Sequence, residues 1–166
     1  MLQVYQATDI GCVRATNEDS LAVFEPQVYV VADGMGGEAA GEVASRILTE
    51  TLQQVLGQRE TVDSQELAQA IQQGNAAILQ CVQEHPEYQG MGTTATALHA
   101  EAGTFALQPG DQLLLATDGL MKHVTDEEIA AALQQRAADP ARQLVDMALN
   151  AGGSDNVTAI VVVLPS

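Results

Sequence analysis

The segment VYVVADGMGGEAAGEVAS, residues 28–45, constrains the fold of this chain more than any other. Its first five residues form an unbroken apolar run, which is typical of a strand buried on both faces. An acid and a cluster of glycines follow, and apolar side chains then recur at steps of three and four residues from Gly41 to Leu56, which predicts a helix. The carboxylate of Asp33 therefore ends a buried strand where glycine permits a close approach of backbone.

The remaining hydrophobic pattern switches between groups of strands and pairs of helices. Short apolar or alternating segments predict strands at residues 3–9, 20–25, 92–100, 104–108, 112–119 and 156–164. Helical spacing preceded by capping residues predicts helices at 64–84, after Thr125, and from Pro140 to the glycines at 152 and 153. This order is not a steady alternation of strand and helix, so it predicts an α+β fold with mixed or antiparallel sheets.

Length and charge limit the classes of function. A chain of 166 residues with 46% hydrophobic content can bury one core, which predicts a single domain over residues 1–166. Its formal net charge of −16 disfavours nucleic acid and anionic membrane surfaces as partners and favours cations. The apolar runs are too short to cross a bilayer and the N-terminus does not resemble a signal peptide, so we expect a cytoplasmic protein.

Three aspartates accompany the ends of predicted strands: Asp33 and Asp118 each precede a glycine, and Asp155 lies just before the last strand. If these strand ends converge, the carboxylates repel one another unless a cation neutralises them, which implies a bound metal. Oxygen ligands alone select Mg²⁺ or Mn²⁺, and a bridging aspartate can hold two ions about 3.5–4 Å apart. Gly34 would allow its own carbonyl to approach as a further ligand.

Two other interpretations of these residues stay open. Asp-Gly is a favoured hairpin turn, so each pair could serve only to reverse the chain. Gly34, Gly36 and Ala39 also match the dinucleotide fingerprint G-x-G-x-x-A, although the surrounding order of elements is not the β-α-β unit which that fingerprint requires.

The segment RATNEDS, residues 14–20, adds an arginine and two acids in one short loop. An arginine among acids is commonly a surface ion pair of little energetic value. This chain has only six lysines and arginines, however, so Arg14 beside Glu18 and Asp19 could instead bind a phosphate with its planar guanidinium.

Taken in order, five segments resemble the motifs of the metal-dependent protein phosphatases, the PPM or type 2C family, in their compact bacterial form. They are RATNEDS, VVADGMGG followed by GEVAS, MGTTATAL, LQPGDQLLLATDGL and GGSDNVTAIVV. The resemblance implies a β-sandwich flanked by pairs of helices, in α-β-β-α layers. It also implies two Mn²⁺ or Mg²⁺ ions, and hydrolysis of phosphoserine and phosphothreonine in phosphorylated protein substrates.

The resemblance also assigns roles to individual residues. It implies that Asp33 bridges both ions and that Asp118 and Asp155 hold one of them. The Gly34 carbonyl, with Glu18 and Asp19, would serve the second ion directly or through water. Arg14 would bind the substrate phosphate, and Asn156 would support the loop of Asp155.

One part of the family pattern is missing. Between the GTT strand and the PGD turn, family members carry a hairpin with a Gly-Asp-Ser-Arg motif and a flap segment, and this chain runs almost directly from one landmark to the other. Loss of strands exposes sheet edges, so we expect either pairing of residues 94–100 with 104–108 or a homodimer through the vacated edge. A catalytically weak or inactive module that binds metal or a phosphoprotein in a regulatory role is the alternative to an enzyme.

Overall fold

The computed structural model describes residues 2–37, 40–100 and 107–165. Seven strands and five helices lie in these ranges: β1 (Gln3–Asp9), β2 (Asp19–Phe24), β3 (Val28–Met35), α1 (Ala40–Leu56), α2 (Ser64–Glu84), β4 (Gly92–Thr93), β5 (Thr96–His99), β6 (Gln112–Ala116), α3 (Asp118–Met121), α4 (Asp126–Gln134), α5 (Pro140–Asn150) and β7 (Val157–Val163). A short 3-10 helix, Pro86–Tyr88, follows α2. The elements form two compact units, Met1–Asn17 with Phe105–Ser166, and Glu18–Thr104.

The unit of residues 18–104 is built around β3. This strand pairs antiparallel with β2 on one side and with β4 and β5 on the other. Its residues at positions 28, 30 and 32 are buried against α1 and α2, which gives this unit its core. At the end of β3 the strand backbone packs directly against the backbone of α1. A Cβ on Gly34 would lie 2.0 Å from the carbonyl oxygen of Gly41 in α1, so there is no room for a side chain at this position.

The partner of β3 in this unit is interrupted without a change of register. Gly34 faces Thr93, and Val31 faces Thr96, so the residues between them continue one line of pairing. At the interruption the Thr94 hydroxyl, in place of a main-chain carbonyl, accepts the backbone N–H of Asp33 at 3.1 Å. The strand predicted at 92–100 is therefore present as two short strands in a common register.

The other unit consists of a three-stranded antiparallel sheet, in the order β1-β7-β6, and three helices. The central strand β7 is buried along almost its whole length, and α5 packs on it and on β1 through Ala141, Leu144, Val145 and Ala148. At the end of β6, Thr117 extends the pairing through its side chain, because its hydroxyl accepts the N–H of Thr158 at 3.0 Å. The chain then turns directly into α3.

All strand pairs in the described ranges are antiparallel, which confirms the predicted α+β class with antiparallel sheets. The helix over 64–84 has the predicted bounds, and both capping boxes, Asp63 with Glu66 and Thr125 with Glu128, are formed. The strand predicted at 112–119 is wrong in its last part. It ends at Ala116 because Asp118 and Gly119 begin a helix.

Part of the strand predicted at 104–108 lies outside the described residues, as does its pairing with residues 94–100. The single domain over residues 1–166 stays a prediction. Within the described ranges, no helix has the length and hydropathy needed for a membrane span.

Replacing Gly34 by alanine tests the contact between β3 and α1. The added Cβ meets backbone, which cannot rotate away, so we expect Gly34→Ala to lower the free energy of unfolding by about 2 kcal/mol or more. A Cβ on Gly37 meets nothing within 4 Å, so Gly37→Ala should change stability by less than about 0.5 kcal/mol. Urea unfolding with a chelator present measures both, and equal midpoints for the two variants would contradict the predicted contact.

Candidate active site

In the unit of residues 18–104, two carboxylates stand directly opposite each other on neighbouring strands. Asp19 of β2 and Asp33 of β3 are register partners, so their side chains emerge on the same face of the sheet. This face is opposite to the one that packs on α1 and α2, and Asp19 is buried, with 8% of its surface exposed. Two acids in this relation favour a site for a cation, because like charges directly opposite destabilise a sheet.

Glu18 and Gly34 are opposite each other one residue further along the two strands, and the Glu18 side chain lies on the face that packs on α1. The N–H of Gly34 donates to the Glu18 carbonyl at 3.0 Å, which continues the pairing of β2 with β3. A Cβ on Gly41 would lie 2.7 Å from Oε1 of Glu18, which places this carboxylate at the first turn of α1. The acidic pair predicted at 18 and 19 is thus divided between the two faces of β2.

Two threonines hold the backbone of Asp33. The hydroxyl of Thr93 donates to the Asp33 carbonyl at 3.0 Å, and the N–H of Thr94 donates to the same oxygen at 2.9 Å. Together with the N–H of Asp33 bound to the Thr94 hydroxyl, these contacts satisfy the main chain of Asp33 on this side. Thr93 and Thr94 therefore position the backbone of Asp33.

In the other unit, Asp118 and Asp155 share a single lysine. Nζ of Lys122 lies 2.9 Å from Oδ1 of Asp118, four residues earlier in the chain, and it also contacts Oδ2 of Asp155. Gly119 brings the two loops together, because a Cβ at this position would lie 1.9 Å from the Asn156 carbonyl oxygen. The end of β6 and the start of β7 thus present two neighbouring carboxylates.

Arg14 forms an ion pair with the same Asp155. Its Nε lies 2.9 Å from Oδ1 of Asp155, and its side chain is 48% exposed. Besides Nε, the guanidinium carries two terminal nitrogens, whose N–H groups are suited to an anion.

Asn156 fixes the loop that carries Arg14. Its side-chain amide donates to the carbonyls of Ile10 and Thr16, each at 2.9 Å, and so joins the two ends of that loop. Gly11 packs against the same region, because a Cβ there would lie 2.2 Å from the Asp155 carbonyl oxygen and its φ is +82°. In the structure, Asn156 supports the loop of Arg14 and the loop of Asp155 together.

The charges of this group change the pKa values of two members. Burial raises the pKa of Asp155. Hydrogen bonds from Lys122 and from the Asn156 N–H, together with the charges of Lys122 and Arg14, lower it by more, so the pKa lies below the usual value of 3.8. Hydrogen bonds to Asp155 and then to Asp118 raise the pKa of Lys122 above 10.5. Both side chains therefore keep their charges at neutral pH.

Lys122 is the member of this group that the sequence reasoning missed. The available signal was its spacing of four residues from Asp118, together with the scarcity of cations in the chain. Across residues 2–37, 40–100 and 107–165, no group of three or more His, Cys, Asp or Glu side chains is close enough together to hold a metal. The candidate ligands instead form two carboxylate pairs, one within each unit.

The chemistry of these groups fits a hard divalent cation. Carboxylate oxygens come from four aspartates, Asp19, Asp33, Asp118 and Asp155. Gly34, which follows Asp33, has no side chain that could block access to its own carbonyl oxygen. Oxygen ligands of this kind suit Mg²⁺ and Mn²⁺ and not zinc, which is typically bound by sulfur and nitrogen.

The class of protein to which this antiparallel α+β fold belongs follows from comparison with known families. The protein phosphatase 2C family model matches residues 13–111, more than half of the chain, and this chain belongs to that family. The match includes Arg14, Glu18, Asp19 and Asp33.

Individual relatives agree with this assignment. The chain is 30% identical to the serine/threonine protein phosphatase PstP of Mycobacterium tuberculosis over 97% of its own length and 45% of PstP. It is 33% identical to the serine/threonine phosphatase stp of Listeria innocua over 72% of its length and 52% of stp. It thus spans about half the length of these relatives.

The fold matches a crystal structure of the catalytic domain of PstP in complex with two manganese ions. The TM-score is 0.86, with 30% identity and 99% of each chain covered. The sequence alignment with PstP extends over 230 positions, more than the 166 residues present here, so PstP carries segments that this chain lacks. This difference in length is consistent with the shortened form predicted from the sequence.

Replacing Asn156 by alanine tests its support of the Arg14 loop. The change removes both hydrogen bonds to Ile10 and Thr16, so we expect a loss of about 1–3 kcal/mol in the free energy of unfolding. Amide hydrogen exchange should also speed up within residues 10–16. Asn150→Ala, at an exposed position at the end of α5, is the matched control, and equal exchange rates in the two variants would contradict the role of Asn156.

Proposed function

We propose that this chain hydrolyses phosphoserine and phosphothreonine monoesters in phosphorylated proteins with the help of two Mn²⁺ or Mg²⁺ ions. Membership of the protein phosphatase 2C family supports the reaction class, and the manganese-bound catalytic domain of PstP supports the metal. The observation that carries the proposal is the contact between Arg14 and Asp155. It joins a group suited to phosphate and a carboxylate suited to a metal in one ion pair.

The proposed ligands follow the assignments made from the sequence. Asp33 would bridge the ions, Asp118 and Asp155 would hold one, and the Gly34 carbonyl, Glu18 and Asp19 would serve the other directly or through water. Such ions lower the pKa of a bound water, which then acts as the nucleophile, and neutralise charge on the phosphoryl group.

The protein's own groups position the substrate and the ligands. With Nε on Asp155, the terminal nitrogens of Arg14 would donate to two phosphoryl oxygens, and this orients the ester. Asn156 limits the movement of that arginine by joining Ile10 and Thr16. Thr93 and Thr94 hold the backbone of Asp33, so this carboxylate and Arg14 would each be held within its own unit before the substrate binds.

The partners and location follow from charge and family. A phosphorylated protein is the proposed partner, and neither nucleic acid nor an anionic membrane suits a net charge of −16. We place the protein in the bacterial cytoplasm, in a signalling role opposite a protein kinase.

A homodimer through an exposed sheet edge is the proposed response to the shortened sheet. In the part of the chain that the structure describes, β5 pairs with β3 alone, and a second copy would pair with its other edge. Size-exclusion chromatography with light scattering should give twice the mass of 17.4 kDa. A monomer at all concentrations would rule out the dimer.

Hydrolysis of p-nitrophenyl phosphate and of a phosphothreonine peptide with Mn²⁺ tests the proposed activity. Asp33→Asn should lower kcat by about two orders of magnitude or more, on the scale of losing a group that stabilises transition-state charge. Arg14→Ala should raise KM more than it lowers kcat if the arginine chiefly binds the phosphate. Removal of metal with EDTA should abolish turnover, and added Mn²⁺ should restore it.

Asp126→Asn is the control for the aspartate variant, because Asp126 is exposed in the first turn of α4 and outside both carboxylate pairs. Its rate should equal that of the unmodified protein. Equal background rates for the unmodified protein and Asp33→Asn would show that the chain is an inactive module, as the alternative holds.

A further inference from the structure

One ammonium group joins the two carboxylates that are proposed to bind the same ion. Nζ of Lys122 lies 2.9 Å from Oδ1 of Asp118 and also contacts Oδ2 of Asp155. The backbone of α3 fixes this arrangement, because Asp118 begins the helix and Lys122 follows it one turn later. The fold of α3 therefore holds Lys122 next to Asp118, within reach of Asp155.

Together with Arg14, Lys122 balances the charge of this group. Two cations face Asp118 and Asp155, whereas the whole chain has six lysines and arginines against 22 acids. In Asp155, Arg14 contacts Oδ1 and Lys122 contacts Oδ2, so both carboxylate oxygens already have a cationic partner. A divalent ion that binds these oxygens meets a positive charge at each of them, and repulsion between the ion and the Lys122 ammonium favours displacement of the lysine.

We infer that Lys122 is a tethered competitor of the metal ion at Asp118 and Asp155. Its ammonium stabilises the carboxylate pair without metal and lowers the affinity of the pair for Mn²⁺ or Mg²⁺. This inference rests on the proposed function, because it concerns the same ligands. Its consequence is a site that fills only at higher concentrations of free metal than the ligands alone would require.

Exposure limits the size of the effect. The side chains of Lys122 and Asp118 are 41% and 60% exposed, so water and salt screen their attraction, while Asp155 is only 15% exposed. We therefore expect removal of the ammonium to tighten Mn²⁺ binding about tenfold, which corresponds to about 1.4 kcal/mol. Raising the salt concentration should reduce this difference.

Calorimetric titration of metal-stripped protein with MnCl₂ tests the inference. Lys122→Met keeps the apolar stem and removes the charge, so it should bind Mn²⁺ about tenfold more tightly than the unmodified protein. Lys122→Arg keeps the charge and should bind with an affinity close to that of the unmodified protein. Arg136→Met is the matched control, since it changes the net charge equally at an exposed residue that lines a groove with Gln3 and Val163, away from Asp155.

Thermal unfolding gives a second measurement that does not depend on turnover. In EDTA, Lys122→Met should melt below the unmodified protein, because the two carboxylates then repel without their shared cation. Added Mn²⁺ should raise its melting temperature by more than it raises that of the unmodified protein. This pair of results would show that the lysine and the ion stabilise the same carboxylates.

The outcomes separate this inference from the proposed function. If the unmodified protein binds Mn²⁺ and Lys122→Met binds it equally or more weakly, the competitor role is wrong and the phosphatase proposal stands. If neither protein binds Mn²⁺, and Asp33→Asn gives the same titration and the same rate of hydrolysis as both, the proposed metal site does not exist. The inference about Lys122 is then wrong as well.

Discussion

The contact between Gly34 and Gly41 is the constraint on which the geometry of the unit of residues 18–104 depends. It brings the end of β3 against the first turn of α1 with no side chain between them. Because β3 is also the strand that pairs with β2, β4 and β5, its position fixes three other strands. Asp33 lies one residue before this contact, so the carboxylate is held by the most constrained backbone of its unit.

The second unit positions its acids by a different physical means. The Asn156 N–H and ion pairs from Arg14 and Lys122 meet at Asp155. The Asn156 side chain joins Ile10 to Thr16, and Gly11 and Gly119 bring the surrounding loops close. These contacts are electrostatic and partly exposed, so they respond to salt and to competing ions. One carboxylate pair thus depends on packed backbone, and the other depends on a balance of charges.

The sequence was most informative where a signal is local. The capping boxes of Asp63 and Thr125 are complete within four residues, so the helix starts were predictable. Asp118 was misassigned to a strand because nothing nearby shows that Gly119 must pack against the carbonyl of Asn156, which is distant in the chain. The pairing of Asp19 with Asp33 and the bridge formed by Lys122 also depend on register and side-chain geometry, which hydrophobic periodicity does not report.

Ser45, a buried residue of α1, has a consequence for which acid faces Asp33. The residues of β2 from Leu21 to Phe24 are apolar on both faces, so burial alone distinguishes poorly between registers one residue apart. The Glu18 carbonyl fixes the register, because it accepts hydrogen bonds from the Gly34 N–H and from the Ser45 hydroxyl, the latter at 2.6 Å. A shift of the register by one residue would place the longer side chain of Glu18, in place of Asp19, opposite Asp33. The Ser45 hydroxyl therefore helps to determine how far the carboxylate opposite Asp33 extends from the backbone.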